Sequence, residues 1–168
     1  MSLRRSDWEL YKDIRLCALK SDQVAFGEPY SRPAEWSDEK WQERLNIANK
    51  EDTTCMRFAK VGKKVVGMVG WYRSEEAFVN GFAEAWGVFV RSEYRGMGIA
   101  RKLFVAILQN LAKKKTIQTI KLEFNVDQET AKRLYKSLGF VAIRNRRIKL
   151  GDGLEHNVCE MEKPNNYE

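Results

Sequence analysis

Between Phe82 and Leu111 the chain passes from an apolar strand pattern through a short turn with two glycines straight into a helix pattern. No other stretch restricts the fold as tightly. Phe82 to Val90 is an apolar and aromatic run of strand length. Ala100, Leu103, Phe104, Ile107, Leu108 and Leu111 recur at the i, i+3, i+4, i+7 spacing of an amphipathic helix. Lys113, Lys114 and Lys115 close it, where positive charge suits the carbonyl end. Ile117 to Val126 reads as the next strand. A strand–helix–strand unit this compact predicts a right-handed crossover between parallel neighbours.

The flanking segments fill in a mixed sheet. Ser6 to Ser21 reads as a helix capped by Ser6, with Asp7 and Glu9 at its positive end and Leu10, Ile14, Cys17 and Ala18 on one face. A loop opens at Phe26-Gly27-Glu28-Pro29. Ser37 caps a second helix to about Asn49, with Trp41, Leu45 and Ala48 sharing a side. Thr54 to Lys60 and Val65 to Tyr72 form an antiparallel hairpin across Val61-Gly62-Lys63. Glu75 to Gly81 connects to the Phe82 strand. Gln128 to Leu138 reads as a helix stopped by Gly139. Val141 to Lys149 is a strand, Gly151-Asp152-Gly153 a turn, and Asn157 to Glu162 the last strand. Helices would pack on the faces of this sheet.

Length and composition narrow the classes. A chain of 168 residues fits one domain, and 43% hydrophobic with 32% charged residues is a globular balance. No apolar run approaches the ~18 residues a membrane span needs, and the N-terminus lacks the apolar core of a secretion signal. The expected setting is cytoplasmic, without a membrane partner. Cys17, Cys55 and Cys159 are scattered and odd in number, and His156 is the only histidine, which argues against a disulfide framework and against a metal site. The net charge of +7 and the pI near 9.3 favour anionic partners: a phosphate-rich cofactor, nucleic acid, or simply solvated basic surface.

The turn between strand and helix offers a cradle for phosphate. Gly96 and Gly98 permit positive φ and close backbone approach, the first-turn N–H groups and the helix dipole attract an anion, and Arg95 and Arg101 add charge. The turn lacks the Gly-Lys-Ser/Thr ending of a nucleotide P-loop and the third glycine of the dinucleotide fingerprint, its place being taken by Arg101.

Arg95-x-x-Gly98-x-Ala100 resembles the Arg/Gln-x-x-Gly-x-Gly/Ala pyrophosphate signature of the GNAT superfamily of N-acetyltransferases. Trp86 to Val90 precedes it, and Ala131-x-x-Leu134-Tyr135-x-x-Leu138-Gly139-Phe140 follows, similar to the A-x-x-L-Y-x-x-x-G-F element of that family. The resemblance spans Phe82 to Phe140. It implies an α/β (α+β) fold with a mixed, mostly antiparallel sheet, a central splayed parallel strand pair and helices on both faces. It also implies an N-acyltransferase that moves acetyl from acetyl-CoA to a primary amine by direct attack in a ternary complex. Backbone groups of Val88, Phe89 and Val90 would pair with the pantetheine arm. The amides of Gly96, Met97, Gly98, Ile99 and Ala100, with Arg95 and Arg101, would hold the pyrophosphate. Asn125 would bond the pantetheine amides, and Gln128 stands where the family often has Asn. Tyr135 would be the general acid, and Glu84 a general base or an anchor for the cationic acceptor. The first strand usual in the family would be very short, since only five residues precede Ser6.

Other residues carry less. The tryptophans and Tyr72 are divided between core and acceptor pocket, with core the commoner role. Arg144-Asn145-Arg146-Arg147 protects an edge or meets an acidic acceptor. Two other functions compete with acyl transfer. A non-catalytic acyl-CoA-binding regulator would not need Tyr135 and Glu84. A nucleic-acid binder would interleave aromatic with basic residues in a known module, which this chain does not do. The acceptor is left open, as is the choice between monomer and homodimer.

Overall fold

The computed structural model describes residues 1–50 and 53–165. Its element order is α1 (Trp8–Ser21), α2 (Ser31–Ala34), α3 (Asp38–Ile47), β1 (Thr54–Val61), β2 (Lys64–Tyr72), α4 (Glu75–Val79), β3 (Phe82–Val90), α5 (Ile99–Ala112), β4 (Thr119–Asn125), α6 (Glu129–Ser137), β5 (Val141–Lys149) and β6 (Glu155–Pro164). The six strands form one sheet in the order β1-β2-β3-β4-β6-β5, antiparallel except for β3 beside β4. The expected α/β sheet, mostly antiparallel with one parallel pair and helices around it, is the one observed.

Both sheet faces are dry over β2, which explains its nearly unbroken apolar sequence. On one face, α5 and α6 bury Phe104, Ile107, Leu111 and Tyr135 against Val69, Trp71, Ile120 and Leu122. On the other, α1 and α3 bury Tyr11, Ile14, Trp41 and Leu45 against Met56, Phe58, Met68 and Phe89. Arg91 ties α1 to the end of β3: it is buried, and it donates to the Val65 carbonyl at 2.9 Å and to Asp13 Oδ2 at 2.6 Å.

Several element ends differ from the sequence reading. Ser6 does not cap α1; Arg5–Asp7 is a 3₁₀ turn, and the Arg4 N–H donates to Asp7 Oδ2 at 2.8 Å. Ser37 does cap α3, accepting from the Lys40 N–H at 3.3 Å, but that helix ends at Ile47. The connection after β2 contains α4, capped by Ser74, and the Phe26–Ser37 loop contains the single turn of α2 around buried Pro33. In place of a first strand, the backbone of Met1 exchanges two hydrogen bonds with Phe58 beside β1.

The β3–β4 junction is what shapes the site. The two strands pair only from Phe82↔Thr119 to Ala85↔Leu122, and then diverge. On its other edge, β3 places Gly87 and Val88 against the single residue Val69 of β2. Gly87 has φ +66°, a left-handed value that favours glycine. An extra residue in one strand bends it and increases its twist. Here the bend carries Val88 to Val90 away from β4.

The 22–28 segment roofs the splayed end and is held by the turn between β5 and β6. The Gly151 N–H donates to the Phe26 carbonyl at 2.6 Å, and the Asn125 amide donates to the Val24 carbonyl at 3.3 Å. A Cβ at Gly151 would lie 2.9 Å from the carbonyl oxygens of Gln23 and Glu28. We expect Gly151→Ala to destabilise the protein by about 1–3 kcal/mol, as overpacking against backbone does. Urea unfolding measures this, with the midpoint falling and the m-value unchanged.

Candidate active site

The divergence of β3 from β4 opens a cavity of about 660 Å³ between the sheet, the α5 turn and α6. Of the residues expected at a donor site, Val88, Phe89, Val90, Arg95, Gly96, Gly98, Ile99, Ala100, Arg101, Gln128 and Tyr135 all line it. Met97 lies in the same turn but turns outward, 64% exposed. Asn125 is buried outside the lining; its Oδ1 accepts from the Asp127 N–H at 3.1 Å, and its amide faces Val24 and His156. Its polar groups are thus spent on the β4–α6 turn and the roof.

At one end lies the glycine turn. Gly96 and Gly98 have φ +77° and +73°, and Gly98 is the N-cap of α5. A Cβ on either would meet nothing within 4 Å, so the space above the turn is open. The first turn of α5 has no acidic side chain to neutralise its dipole. Arg95 is fixed at the rim, with Nε on the Val90 carbonyl at 2.9 Å and Nη2 on Asp22 Oδ2 at 2.5 Å. Arg101 bonds Ser137 Oγ of α6 at 2.8 Å. Open amides, a free helix N-terminus and two guanidinium groups fit the diphosphate of a nucleotide cofactor.

Tyr135 also lines the cavity, 5% exposed, with its ring packed on Phe104, Phe124 and Phe140. Burial pushes its phenol well above the usual value. It therefore keeps its proton throughout the neutral range.

Glu84 lies outside the lining of this cavity. The alternation of β3 sends Ala83 and Ala85 into the α5 core and Glu84 and Trp86 to the opposite face. Tyr72 is its direct cross-strand partner, and burial, followed by hydrogen bonding to Glu84, raises the pKa of that phenol. Glu84 makes no ion pair among the described residues, whereas neighbouring carboxylates are paired. Glu123 takes two bonds of 2.7 Å from Arg146, and Glu160 takes one of 2.6 Å from Arg144. Two arginines of the basic β5 run are thus spent on these carboxylates.

The sequence reading missed Asp22, Gly87 and Glu123, all in the lining. Gly87 carried a readable signal, a glycine interrupting a strand pattern. Asp22 carried none, because its partner Arg95 is 73 residues away. Among the described residues no group of three His, Cys, Asp or Glu side chains is placed to hold a metal ion, and no helix is long and apolar enough to cross a membrane.

The family model of the acetyltransferase (GNAT) family matches residues 10–140. No curated protein sequence matches the chain. Among solved structures, an acetyltransferase of the GNAT family from Streptococcus pneumoniae superposes with a TM-score of 0.83 at 16% identity, covering 98% of this chain and 96% of that one. The ribosomal-protein-alanine N-acetyltransferase of Brucella melitensis gives 0.79 at 19% identity, covering 98% of each chain. The spermidine N-acetyltransferase of Vibrio cholerae, solved with CoA and spermine, gives 0.77 at 19%, covering 98% and 94%.

A side chain at Gly98 would project into the open space above the turn and strain its backbone. We expect Gly98→Glu to abolish coenzyme A binding in calorimetric titration while the far-ultraviolet circular dichroism stays native. Wild-type affinity in that variant would mean that the turn does not hold the diphosphate.

Proposed function

We propose that this chain, which belongs to the acetyltransferase (GNAT) family, acts over residues 1–168 as one cytoplasmic domain that acetylates a primary amine in a ternary complex. The observation that carries this reading is the parting of β3 from β4 beyond Ala85 and Leu122, with the glycine turn and Tyr135 lining the one cavity it opens. Acetyl-CoA supplies a thioester whose carbonyl carbon accepts the amine and whose sulfur leaves.

The protein's part is positional and electrostatic. The amides from Gly96 to Ala100, with Arg95 and Arg101, hold the diphosphate. Val88 to Val90, left without a strand partner on the β4 side, offer backbone groups to the amide-bearing arm, as a strand edge does for a peptide. A backbone N–H of β3 polarises the thioester carbonyl. The C–N bond forms as the C–S bond breaks, and the nitrogen gives its surplus proton to Glu84 or to water.

Tyr135 faces the departing sulfur. An ordinary thiol has a pKa of about 8.5, below that of the buried phenol, so the phenol acts chiefly as a hydrogen-bond donor to the charge that develops on sulfur. Its ring contacts fix the direction of that bond. The diphosphate cradle gives the basic chain an anionic partner without a nucleic acid.

Tyr135→Phe should lower kcat about 10²-fold, the lower end for general acid catalysis, with coenzyme A affinity unchanged; released thiol measures the rate. A loss of less than threefold at every pH would reduce the tyrosine to packing. Glu84→Gln separates two roles for the carboxylate. Loss of rate together with the acidic limb of the pH profile identifies a base, whereas a higher KM at constant kcat identifies an anchor. Wild-type values of both parameters would remove Glu84 from the site.

A further inference from the structure

A second cavity, of about 400 Å³, lies on the α1/α3 side of the sheet. It shares Trp86 with the first cavity, so the two meet at the residue beside the splay. Its volume suits a small molecule. Tyr11, Arg44, Thr53, Tyr72, Arg73 and Trp86 supply its polar and aromatic lining, and no acidic residue lines it among the described residues.

The two arginines differ in how they are held. Arg73 is locked: Nε donates to the Phe82 carbonyl at 3.2 Å and Nη1 to Thr116 Oγ1 at 3.0 Å, while Nη2 reaches the carbonyls of Ala77, Phe78 and Thr116. None of these acceptors lines the cavity, so the Arg73 guanidinium is held away from it and Arg44 is the cation the recess can use. Arg44, on the last turn of α3, lies 5.8 Å from the Trp36 ring centroid and next to the Tyr11 hydroxyl, and it has no carboxylate partner among the described residues. Arg44 and the hydroxyls around it give this recess a site for an anion. On the other side, Tyr72 leads to a carboxylate, because its cross-strand partner Glu84 makes no ion pair among the described residues, with Lys121 as its register partner on β4. The recess is thus positive at Arg44 and has a carboxylate behind Tyr72.

Resting on the acetyl-transfer reading above, we propose that the acceptor is a small amine carrying an anionic group, carboxylate or phosphate, whose anion meets Arg44 in this cavity while its amine lies toward Glu84 and the splayed end of β3. Arg44 is then a specificity-determining residue. Polyamines place a second cation against Arg44 and are disfavoured.

The test compares kcat/KM, by thiol release, for ω-amino acids, the same amines without the carboxylate, phosphoethanolamine, spermidine and an alanine-terminated peptide. An amine bearing an anion should exceed its uncharged-tail counterpart at least about tenfold. The carboxylate and phosphate arms identify which anion it is. Arg44→Gln should erase that ratio and Arg44→Lys should keep part of it, with coenzyme A titration confirming that both variants are folded. Preference for spermidine or the peptide, or a ratio unchanged in Arg44→Gln, overturns the proposal. Direct calorimetric titration of the amino acids separates the two readings. Arg44-dependent binding without transfer to any amine would sink acetyl transfer and leave the anion pocket standing. Transfer to spermidine indifferent to Arg44 would do the reverse.

Discussion

The site depends on one interrupted ladder. Between Ala85 and Val90, β3 has a partner on the β2 side and none on the β4 side. Backbone N–H and C=O groups removed from water need partners, so a gap in the middle of a sheet costs stability unless the exposed groups stay solvated or meet a ligand. This structure holds the gap open through geometry on the other edge. The extra residue at Gly87–Val88 bends β3 while its bonds to β2 survive on either side. β4 keeps its full antiparallel pairing with β6, from Thr119↔Pro164 to Asn125↔Val158, so the sheet stays continuous behind the gap. A substitution at Gly87 would therefore act on donor binding through backbone conformation, without deleting a single side-chain contact.

The walls of the gap are held by ion pairs of unequal environment. Arg15, 5% exposed, bonds Glu28 at 2.9 Å and lies over the rings of Phe26 and Trp86, so it locks the 22–28 roof to β3. Breaking a buried pair of this kind by removing one partner leaves an uncompensated charge and is strongly destabilising. Asp22–Arg95 is half-exposed on the arginine side and worth little to stability. Its consequence is positional: it joins the roof to the guanidinium beside the phosphate cradle. The roof thus touches the donor cavity through Asp22 and Ala25, and through Phe26 and Glu28 it holds Arg15 over Trp86, which lines both cavities.

Where local physics decides structure, the sequence was readable. The bounds of β3 and β5, the cap at Ser37, the amphipathic stripe of α5 and the glycine turn follow from nearest-neighbour patterns. Tyr135 came from the resemblance rather than from such patterns, and it lines the same cavity as the turn. Ser6 failed because the side chain of Asp7 took the local N–H bond instead, a competition between adjacent polar residues that propensity does not resolve. Asn125 and Glu84 lie outside the donor-cavity lining for a different reason. Asn125 faces Val24, 101 residues earlier in the chain, and Glu84 faces Tyr72 across a register that only the assembled sheet fixes. Long-range pairing of this kind leaves no mark within a sequence window.

Charge distribution then separates the two substrates. In the proposed complex the donor enters where positive charge is concentrated at open amides, so its diphosphate needs no buried cation. On the opposite face, the arginines of β5 are consumed by Glu123 and Glu160, which leaves that part of the face close to neutral. Near Trp86, Arg44 and the carboxylate of Glu84 behind Tyr72 have no ion pair among the described residues. In a low-dielectric recess such a separated pair orients a dipolar ligand more strongly than it binds a simple cation, because each end of the ligand meets the opposite sign only in one direction. Orientation is what an amine needs here, since only an approach with nitrogen toward the splay brings it to the thioester. The recess thus does for the acceptor what the glycine turn does for the donor, fixing one end of the molecule so that the other reaches Ala85–Val88.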